Sequence, residues 1–300
     1  MNKEELTALV AEILGQMEPQ VKASDYKATR PGPEKTYPPT HPDEFVPDVT
    51  QINLRKLYLT EDPLNPTFFA KMKEKTPARI GMGRCGARYK TLTMLRFRAD
   101  HAAAQDAVFS EVDTEFAKKY DLLPTKTCCD SKDMYLTRPD LGRCFDEQNS
   151  KAIKGVIDTP PVVQIVVGDG LSSAAIEANA IDCLYALKDG LKARNIPTGK
   201  DIFVKYCRVG AGDAVGDITG CQLVCVLVGE RPGLVTDKSM SIYITYKPHT
   251  GVSESSRTVI SNIHAQGTPA VEAGAYAAEL IEKILQKKVS GVALHMENER

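Results

Sequence analysis

Hydrophobic and polar positions follow two different patterns along this chain of 300 residues. From about residue 64 to residue 150, apolar positions recur at helical spacing, as in "NPTFFAKMKEKTP", "TLTMLRFRADHAAAQDAVF" and "SEVDTEFAKKYDL". From about residue 155 onward, short apolar runs alternate with longer amphipathic ones. The pattern therefore predicts a helical region followed by a region in which strands and helices alternate.

The second region opens with "PPVVQIVVGDG", a β-branched run typical of a strand buried on both faces. Further strands are predicted in "DIFVKYCRV", "CQLVCVLVGE", "SMSIYITYK" and "RTVISN". Helices are predicted in "LSSAAIEANAIDCLYALKDGLKARN", "AGDAVGDITG" and "TPAVEAGAYAAELIEKILQKK". Such alternation predicts an α/β fold with a Rossmann-like, mostly parallel sheet covered by helices.

The first 17 residues carry a separate helical signal. Their apolar positions fall on one stripe of a helix: Leu6, Leu9, Val10, Ile13, Leu14 and Met17. Residues 18–50 then contain seven prolines and few apolar residues, a composition typical of a semi-extended tether. An isolated helix of this length is marginal in water, so the stripe needs a surface to pack on. That surface is either another protein or the body of this chain.

These patterns divide the chain into four predicted parts. The first two are an amphipathic docking or targeting helix at 1–18 and a proline-rich linker at 19–63. They are followed by a small helical domain at 64–150 and the Rossmann-like α/β domain at 151–300.

Charge and cysteine content narrow the class of protein. The formal net charge of -1 gives no reason to expect nucleic acid or an anionic membrane as a partner. The sequence contains neither a membrane-spanning apolar run nor a secretion signal, which predicts a cytoplasmic protein. Its eight cysteines form no C-x-x-C pair and are interpreted as reduced thiols. No metal site is predicted.

The segment "ARIGMGRCGARYKT" contains Gly81-x-Gly83-x-x-Gly86, the spacing of a dinucleotide-binding loop. That loop requires a buried strand before it and a helix that opens inside it. Here the preceding "PARI" is too short for such a strand, and basic residues follow the glycines. The strand-to-helix turn at "VVGDGLSSAAI" lacks the three-glycine spacing. The pattern argues against a dinucleotide-binding fold.

Ligands of open α/β sheets collect at the carboxyl ends of the strands. In this chain those ends are predicted at 168–173, 208–210, 229–233 and 261–262, and they are rich in glycine and polar residues. Asp169 either caps the following helix or faces a ligand. His264 lies near a strand end, but no Ser or Cys is spaced with it as a nucleophile, which favours a structural hydrogen bond. The predicted rim resembles a binding surface more than a reaction centre.

Several of these segments closely resemble the small, or light, subunit of ethanolamine ammonia-lyase. The segments are "DMYLTRPDLGR", "VVGDGLSSAAI", "LVGERPGL" and "TVISNIHAQGTPAVEA", with "GRCGARYKTLTMLRFRADH" matching the family's helical segment. The resemblance covers roughly residues 66–292 and consists of long motifs in the same order.

The resemblance implies adenosylcobalamin chemistry that converts ethanolamine to acetaldehyde and ammonia. In that family the large subunit carries the catalytic residues, and the small subunit helps to clamp the cobalamin between the two chains. Cofactor contacts of the family fall on Val209, Glu230 and Val259, with Arg208 beside the first. Many relatives carry Cys where this chain has Val259. No catalytic residue is expected here, because the cofactor supplies the reactive group and the protein positions it.

Two further expectations concern the cofactor and the terminal helix. The chain lacks the Asp-x-His-x-x-Gly segment that supplies a protein ligand to cobalt, so the resemblance implies base-on adenosylcobalamin, which keeps its own dimethylbenzimidazole. By analogy with the pathway, the helix at 1–18 is expected to dock the enzyme to shell or cargo proteins of a bacterial microcompartment. The alternatives are a Rossmann-type nucleotide-binding oxidoreductase and a scaffold protein that acts only through its terminal helix.

Overall fold

The computed structural model describes residues 48–53, 56, 59–60 and 63–296. The predicted terminal helix at 1–18 and most of the predicted linker lie outside the described residues. Contacts divide the chain into two compact units, Met1–Asp100 and His101–Arg300. The predicted domain boundary between residues 150 and 151 remains a prediction. No helix among the described residues is long and apolar enough to cross a membrane.

Two helices and a hairpin form the described part of the first unit. Helix α1 (Pro66–Glu74) begins at Asn65, whose side chain accepts a hydrogen bond from the amide of Phe68 at 3.0 Å. Strands β1 (Arg84–Cys85) and β2 (Arg88–Tyr89) pair antiparallel, and helix α2 (Thr91–Phe109) follows and continues into the second unit. The helices predicted before Pro77 and from Thr91 are both confirmed.

The glycine motif begins just before this hairpin and ends in its turn. Gly81, Gly83 and Gly86 all have positive φ angles, of 68°, 67° and 62°. Gly86 is the first residue of the two-residue connection between β1 and β2, where a positive φ matches the twist of a hairpin. Gly86 therefore serves a hairpin turn, and no strand-to-helix junction of the dinucleotide-binding type exists at the motif.

Residues 48–53, the described end of the predicted linker, are attached to α2. The Nη1 of Arg96 donates hydrogen bonds to the carbonyl oxygens of Val49 and Ile52, both at 3.0 Å. Its Nε is paired with the carboxylate of Asp100 one turn along the helix. This segment is held by hydrogen bonds from one arginine.

A six-stranded sheet forms the centre of the second unit. Its strands are β3 (Leu123–Lys126), β4 (Val163–Asp169), β5 (Ile202–Lys205), β6 (Leu223–Gly229), β7 (Met240–Tyr246) and β8 (Arg257–Ile263). The spatial order is β3-β5-β4-β6-β7-β8. The first four of these are parallel neighbours, whereas β7 is antiparallel to both β6 and β8. The predicted mostly parallel sheet is confirmed.

Helices lie on both faces of the sheet. They are α3 (Phe116–Lys119), α4 (Lys132–Thr137), α5 (Glu147–Gly155), α6 (Ser173–Ala193), α7 (Ala211–Thr219), α8 (Ala270–Lys287) and α9 (Val292–Met296). One apolar cluster joins α6 and α8 to the sheet, and a second joins α5 and α7 to it. The stripe Leu184, Leu187 and Leu191 of α6 is almost wholly buried. Each such side chain contributes about 1.5–3 kcal/mol through burial.

Strand β3, like the hairpin strands β1 and β2, corrects the sequence analysis, which predicts only helices between residues 64 and 150. The strand is four residues long, contains Pro124 and pairs with β5 at the edge of the sheet. Proline lacks an amide proton and is tolerated at sheet edges, so the segment shows no strand-like pattern by itself. The amide of Lys126 donates to Asn149 Oδ1 of α5 at 3.0 Å. This contact, together with Pro124, closes the edge.

Candidate functional site at the carboxyl edge of the sheet

The connections around β4 define where the site lies. The chain leaves β4 through α6 to β5, then crosses back through α7 to β6 on the other side of β4. Since α6 and α7 pack on opposite faces, the carboxyl ends of β4 and β5 flank a topological switch point. Such crevices commonly bind ligands.

Here the crevice is filled by the chain itself. Lys132, at the start of α4, is buried, and its Nζ donates to the carbonyl oxygens of Ser110 and Gly170, both at 3.2 Å. Burial lowers the pKa of Lys132, and the nearby Asp169 opposes that shift. The crevice between β4 and β5 is therefore occupied by a lysine of α4.

Asp169, the last residue of β4, interacts with Lys132, and we call these two buried residues the plug. Its two carboxylate oxygens accept hydrogen bonds from the hydroxyl of Ser173, at 2.6 Å, and the amide of Val112, at 3.3 Å. Burial raises the pKa of Asp169, while the bond from Ser173 and the charge of Lys132 lower it. The side chain that accepts from the first turn of α6 is Ser172. Asp169 therefore joins β4 to α6 and the 110–112 segment inside the protein.

An aromatic and cationic stack lies beside the plug. Tyr135 of α4 is 1% exposed, and its hydroxyl donates to the carbonyl oxygen of Cys207 at 3.0 Å. The guanidinium carbon of Arg208 lies 4.2 Å from the centroid of the Tyr135 ring. One Nη of Arg208 donates to the carbonyl oxygen of Tyr135 at 2.8 Å. Arg208 is thus fixed in position at the carboxyl end of β5.

The opposite side of the edge is open. Residues Val226, Tyr243 and Val259 are register partners across β6, β7 and β8, so their side chains share one face of the sheet. Val259 is 45% exposed although it lies within a strand. We call this partly exposed surface, comprising Val209, Glu230, Tyr243 and Val259, the open face.

Glu230 and Val209 complete the open face. Glu230 follows β6, and its Oε1 accepts a hydrogen bond from the hydroxyl of Tyr243 at 2.9 Å. Burial, followed by this bond, raises the pKa of Tyr243 to about 12. Val209 precedes α7 and packs on the same apolar cluster as Tyr243. Tyr243 thus connects the three: Glu230 by a hydrogen bond, Val259 by strand register, and Val209 by packing on the same apolar cluster.

Other polar candidates are engaged in structure. His264 is 8% exposed; its Nε2 bonds Asn262 Oδ1 at 2.8 Å, and its Nδ1 accepts from the amide of Gln266 at 3.2 Å. This arrangement agrees with the structural hydrogen bond favoured by the sequence. Among the described residues, no group of three or more His, Cys, Asp or Glu side chains is placed to hold a metal ion.

The cysteines are free thiols. Burial raises the pKa of Cys183 to about 12 and raises that of the fully buried Cys225 as well. Burial also raises the pKa of Cys128 to about 12, with a further contribution from a hydrogen bond to Cys144. A raised thiol pKa disfavours the nucleophilic thiolate. These thiols therefore lack the low pKa typical of catalytic cysteines.

Sequence reasoning missed three residues of this edge: Lys132, Tyr135 and Tyr243. Tyr243 lies in a predicted strand, but its role depends on the β6–β7 register that brings its hydroxyl to Glu230. Tyr135 lies within the segment "DMYLTRPDLGR", which was noted as a motif without roles for its residues. Lys132 follows Ser131, whose side chain accepts a hydrogen bond at the start of α4. The signal available in the sequence for this short helix was the N-cap residue Ser131, followed by the apolar pair Met134 and Tyr135.

Residues 66–295 match the model of the ethanolamine ammonia-lyase light-chain family. The chain belongs to this family. Among similar proteins, the "Ethanolamine ammonia-lyase small subunit" of Clostridium perfringens is 54% identical over 294 residues, covering 98% of this chain and all of the relative. The protein of the same name from Clostridioides difficile is 52% identical with the same coverage.

A third relative with this name, from Lachnoclostridium phytofermentans, is 57% identical over 251 residues, or 84% of this chain and 85% of the relative. The first two matches extend well before residue 66, where the family model begins. Most of the N-terminal segment is therefore shared with these relatives.

Proposed function

We propose that this chain is the small subunit of an adenosylcobalamin-dependent ethanolamine ammonia-lyase, with a large subunit as its partner. In this proposal the enzyme converts ethanolamine to acetaldehyde and ammonia, and the open face holds one side of the cobalamin against the large subunit. The family match and the names of the similar proteins support the enzyme and the pairing of subunits.

The observation that carries the proposal is that the open face offers binding groups but no reactive pair. The open face combines exposed apolar surface at Val259 with the carboxylate of Glu230. No pair of groups on this face is arranged as nucleophile and base. A surface of this kind suits binding and orientation of a cofactor that itself supplies the reactive bond.

The chemistry of the residues fits a corrin. The rim of a corrin ring carries methyl groups and neutral amide side chains, so it offers both apolar contact and N–H donors. Oε2 of Glu230 accepts no hydrogen bond from the described residues and can receive such a donor, while Tyr243 fixes Oε1. Val209 and Val259 supply apolar contact, and Arg208 beside them supplies N–H donors. A bound adenosylcobalamin supplies a cobalt–carbon bond that breaks homolytically to start radical chemistry.

The cofactor is proposed to bind in the base-on form. The described histidines offer no counterpart of a cobalt ligand in this region, since both ring nitrogens of His264 are engaged. Electron paramagnetic resonance of the complex is expected to show nitrogen coupling from dimethylbenzimidazole. Coupling from a protein histidine would contradict this part of the proposal.

The test is co-expression of the full chain with a large subunit, purification of the complex and measurement of retained corrinoid by visible spectroscopy. Replacing Val259 with Asp places a charge on the open face, and we expect the affinity for adenosylcobalamin to fall by at least about 10-fold, since burying an unpaired charge is costly. Because Val259 is 45% exposed, the fold should tolerate the change.

The matched control is Val292→Asp. Val292 is 52% exposed and lies on α9, outside the open face. The control should retain corrinoid and release ammonia at the wild-type rate. Equal corrinoid affinity in the Val259 and Val292 variants would contradict the assignment of the open face.

The helix predicted at residues 1–18 is proposed to dock the enzyme to shell or cargo proteins of a bacterial microcompartment. Its support is the single apolar stripe followed by the proline-rich segment. Deleting residues 1–18 should disperse the enzyme in cells, visible with a fluorescent fusion, while ammonia release by the purified complex is retained. Intact packaging of the deleted form would overturn this role.

A further inference from the structure

Two arginines at the carboxyl end of β5 lack an acidic partner. The Cγ of Arg208 lies so close to Gly142 that a Cβ there would be 2.7 Å away, and the amide of Arg208 donates to the carbonyl oxygen of Gly142 at 2.9 Å. The Nε of Arg208 is buried and has no hydrogen-bond partner among the described residues. This guanidinium is held against Tyr135 with most of its donors unused.

Arg143 is the second arginine, directly after Gly142. Its Cβ, Cγ and Cδ lie 3.2–3.5 Å from where a Cβ on Gly210 would be, so its aliphatic stem runs along the start of α7. Its side chain is exposed and makes no ion pair with a described residue. Arg208 is the first residue of the 208–210 segment, and the stem of Arg143 packs against its last residue, Gly210. The same segment contains Val209 of the open face.

Acidic groups nearby are already committed to other cations. Glu254 feels the charge of Arg143, but the pKa of its carboxyl is lowered first by a hydrogen bond from Arg257. Asp213, in the first turn of α7, makes a two-pronged ion pair with the same Arg257 at 2.8 Å. Asp140 is paired with Arg138 at 2.7 Å. Each of these three carboxylates is paired with another arginine, whereas neither Arg143 nor Arg208 makes an ion pair with a described residue.

Two neighbouring cations without a counterion create a local positive field, which an anion relieves. Guanidinium groups bind phosphate oxygens through paired N–H donors, and the amino-terminal end of α7 adds a favourable dipole. The side chains of a corrin ring are neutral amides, so the anionic group of a base-on cobalamin is the phosphodiester of its nucleotide tail. We infer that Arg143 and Arg208 form a subsite for that phosphodiester. The inference rests on the proposed function.

The experiment uses the full chain in complex with a large subunit and three corrinoids. Adenosylcobalamin carries a phosphodiester, adenosylcobinamide phosphate carries a phosphate, and adenosylcobinamide carries neither. Wild type is expected to bind adenosylcobinamide phosphate more tightly than adenosylcobinamide. Arg143→Gln and Arg208→Gln should each lower the affinity for the two phosphate-bearing corrinoids by about 10- to 100-fold, as expected for a lost charged hydrogen bond. The affinity for adenosylcobinamide should be unchanged.

One lysine variant and one control arginine test whether charge or paired donors give the preference for phosphate. Arg143→Lys should retain part of the preference, because the charge remains while the paired donors are lost. Arg138→Gln is the control, since Arg138 is 59% exposed on the same segment and already paired with Asp140. That control should bind all three corrinoids as wild type does. Thermal melting of each complex checks that Arg208→Gln still folds, and Arg143 provides an exposed second position.

Three outcomes would overturn the inference. The first is equal binding of adenosylcobinamide and its phosphate by wild type. The second is an equal loss for all three corrinoids in the arginine variants, which would assign the cations to ring contacts. The third is dissociation of the complex in sedimentation, which would assign them to a carboxylate of the large subunit. Failure of the proposed function itself is distinguishable, because Glu230→Gln and Val259→Asp would then leave all three affinities unchanged.

Discussion

The plug between β4 and β5 and the open face beside it lie at the same sheet edge but differ in how their polar groups are satisfied. In the plug, Lys132 and Asp169 are buried and each has at least two hydrogen bonds inside the chain. On the open face, the side chain of Glu230 accepts a single hydrogen bond among the described residues, from Tyr243, and Val259 is exposed. Buried groups with complete partners rigidify a fold, whereas exposed groups with spare capacity are available to a ligand.

The difference changes how the switch-point rule applies to this fold. The rule places ligands in the crevice between strands whose connections diverge, yet here that crevice is filled by α4. Lys132 bonds to Gly170 after β4, and Tyr135 of the same helix bonds to Cys207 after β5. Helix α4 therefore fixes the ends of both strands, and the second of these leads to Arg208 and Val209. The plug is therefore a support for the neighbouring binding surface. Substitutions in the two regions should separate stability from cofactor binding.

The largest stability effect is expected for Lys132→Met. This change removes the donor from two buried carbonyl groups, of Ser110 and Gly170, and leaves Asp169 without a nearby cation. We expect a loss of roughly 2–4 kcal/mol in the free energy of unfolding, measured by urea denaturation followed by circular dichroism.

Lys126→Met is the matched control for that measurement. Lys126 pairs with the exposed Asp130, and surface pairs contribute about 0–1 kcal/mol. A loss for Lys132→Met no greater than that of the control would show that the plug does not hold the strand ends. The distinction between support and binding surface would then fail.

The sequence predicts the long periodic elements of the fold because their signals are local. Thr91–Phe109 and Val163–Asp169 each show their own period over many residues. Strand β3 is different, since four residues with Pro124 become a strand only through pairing with β5. The open face was partly predictable for the same reason: Glu230 follows a recognisable strand, whereas the bond from Tyr243 requires the register of β6 and β7. Arg143 ends a three-residue 3-10 helix and gains its position only when Gly210 packs against it.

A smaller effect, on binding rather than folding, is expected for Tyr243→Phe. The change removes the hydroxyl that fixes Glu230 Oε1 at 2.9 Å and leaves the aromatic ring in the sheet. Because Glu230 can rehydrate, the free energy of unfolding should fall by less than about 1 kcal/mol. The affinity of the complex for adenosylcobalamin should fall by a few-fold, about the effect of losing one oriented acceptor.

Titration of corrinoid into the Tyr243→Phe and Glu230→Gln complexes gives the measurement. The corrinoid affinity of the Tyr243→Phe complex should lie between that of wild type and that of the Glu230→Gln complex. An affinity lower than that of Glu230→Gln would mean that Tyr243 contacts the cofactor directly. Positioning of Glu230 would then be the wrong account of its role.

The smallest effect is expected at Glu111, on the exposed side of the plug. The hydrogen bond from Lys205, at 2.8 Å, is the largest cause that lowers the pKa of Glu111, and the hydroxyl of Tyr206 contributes next. A carboxyl group whose pKa is lower in the folded state stabilises the fold above its ordinary pKa of about 4.3. This stabilisation is lost as the pH falls through the lowered value, because the folded state must then give up the charged form.

Glu111→Gln should therefore unfold at slightly lower urea concentration than wild type at pH 7, and the difference should shrink as the pH is taken below about 4. Because Lys205 and Glu111 are each at least one-third exposed, added salt should also reduce the difference at pH 7. The pH dependence expected at Asp169 is opposite. Because the pKa of Asp169 is raised, the wild type should gain stability relative to Asp169→Asn as the pH falls. Parallel pH profiles for the two variants would contradict the placement of one carboxylate inside the plug and the other at its exposed side.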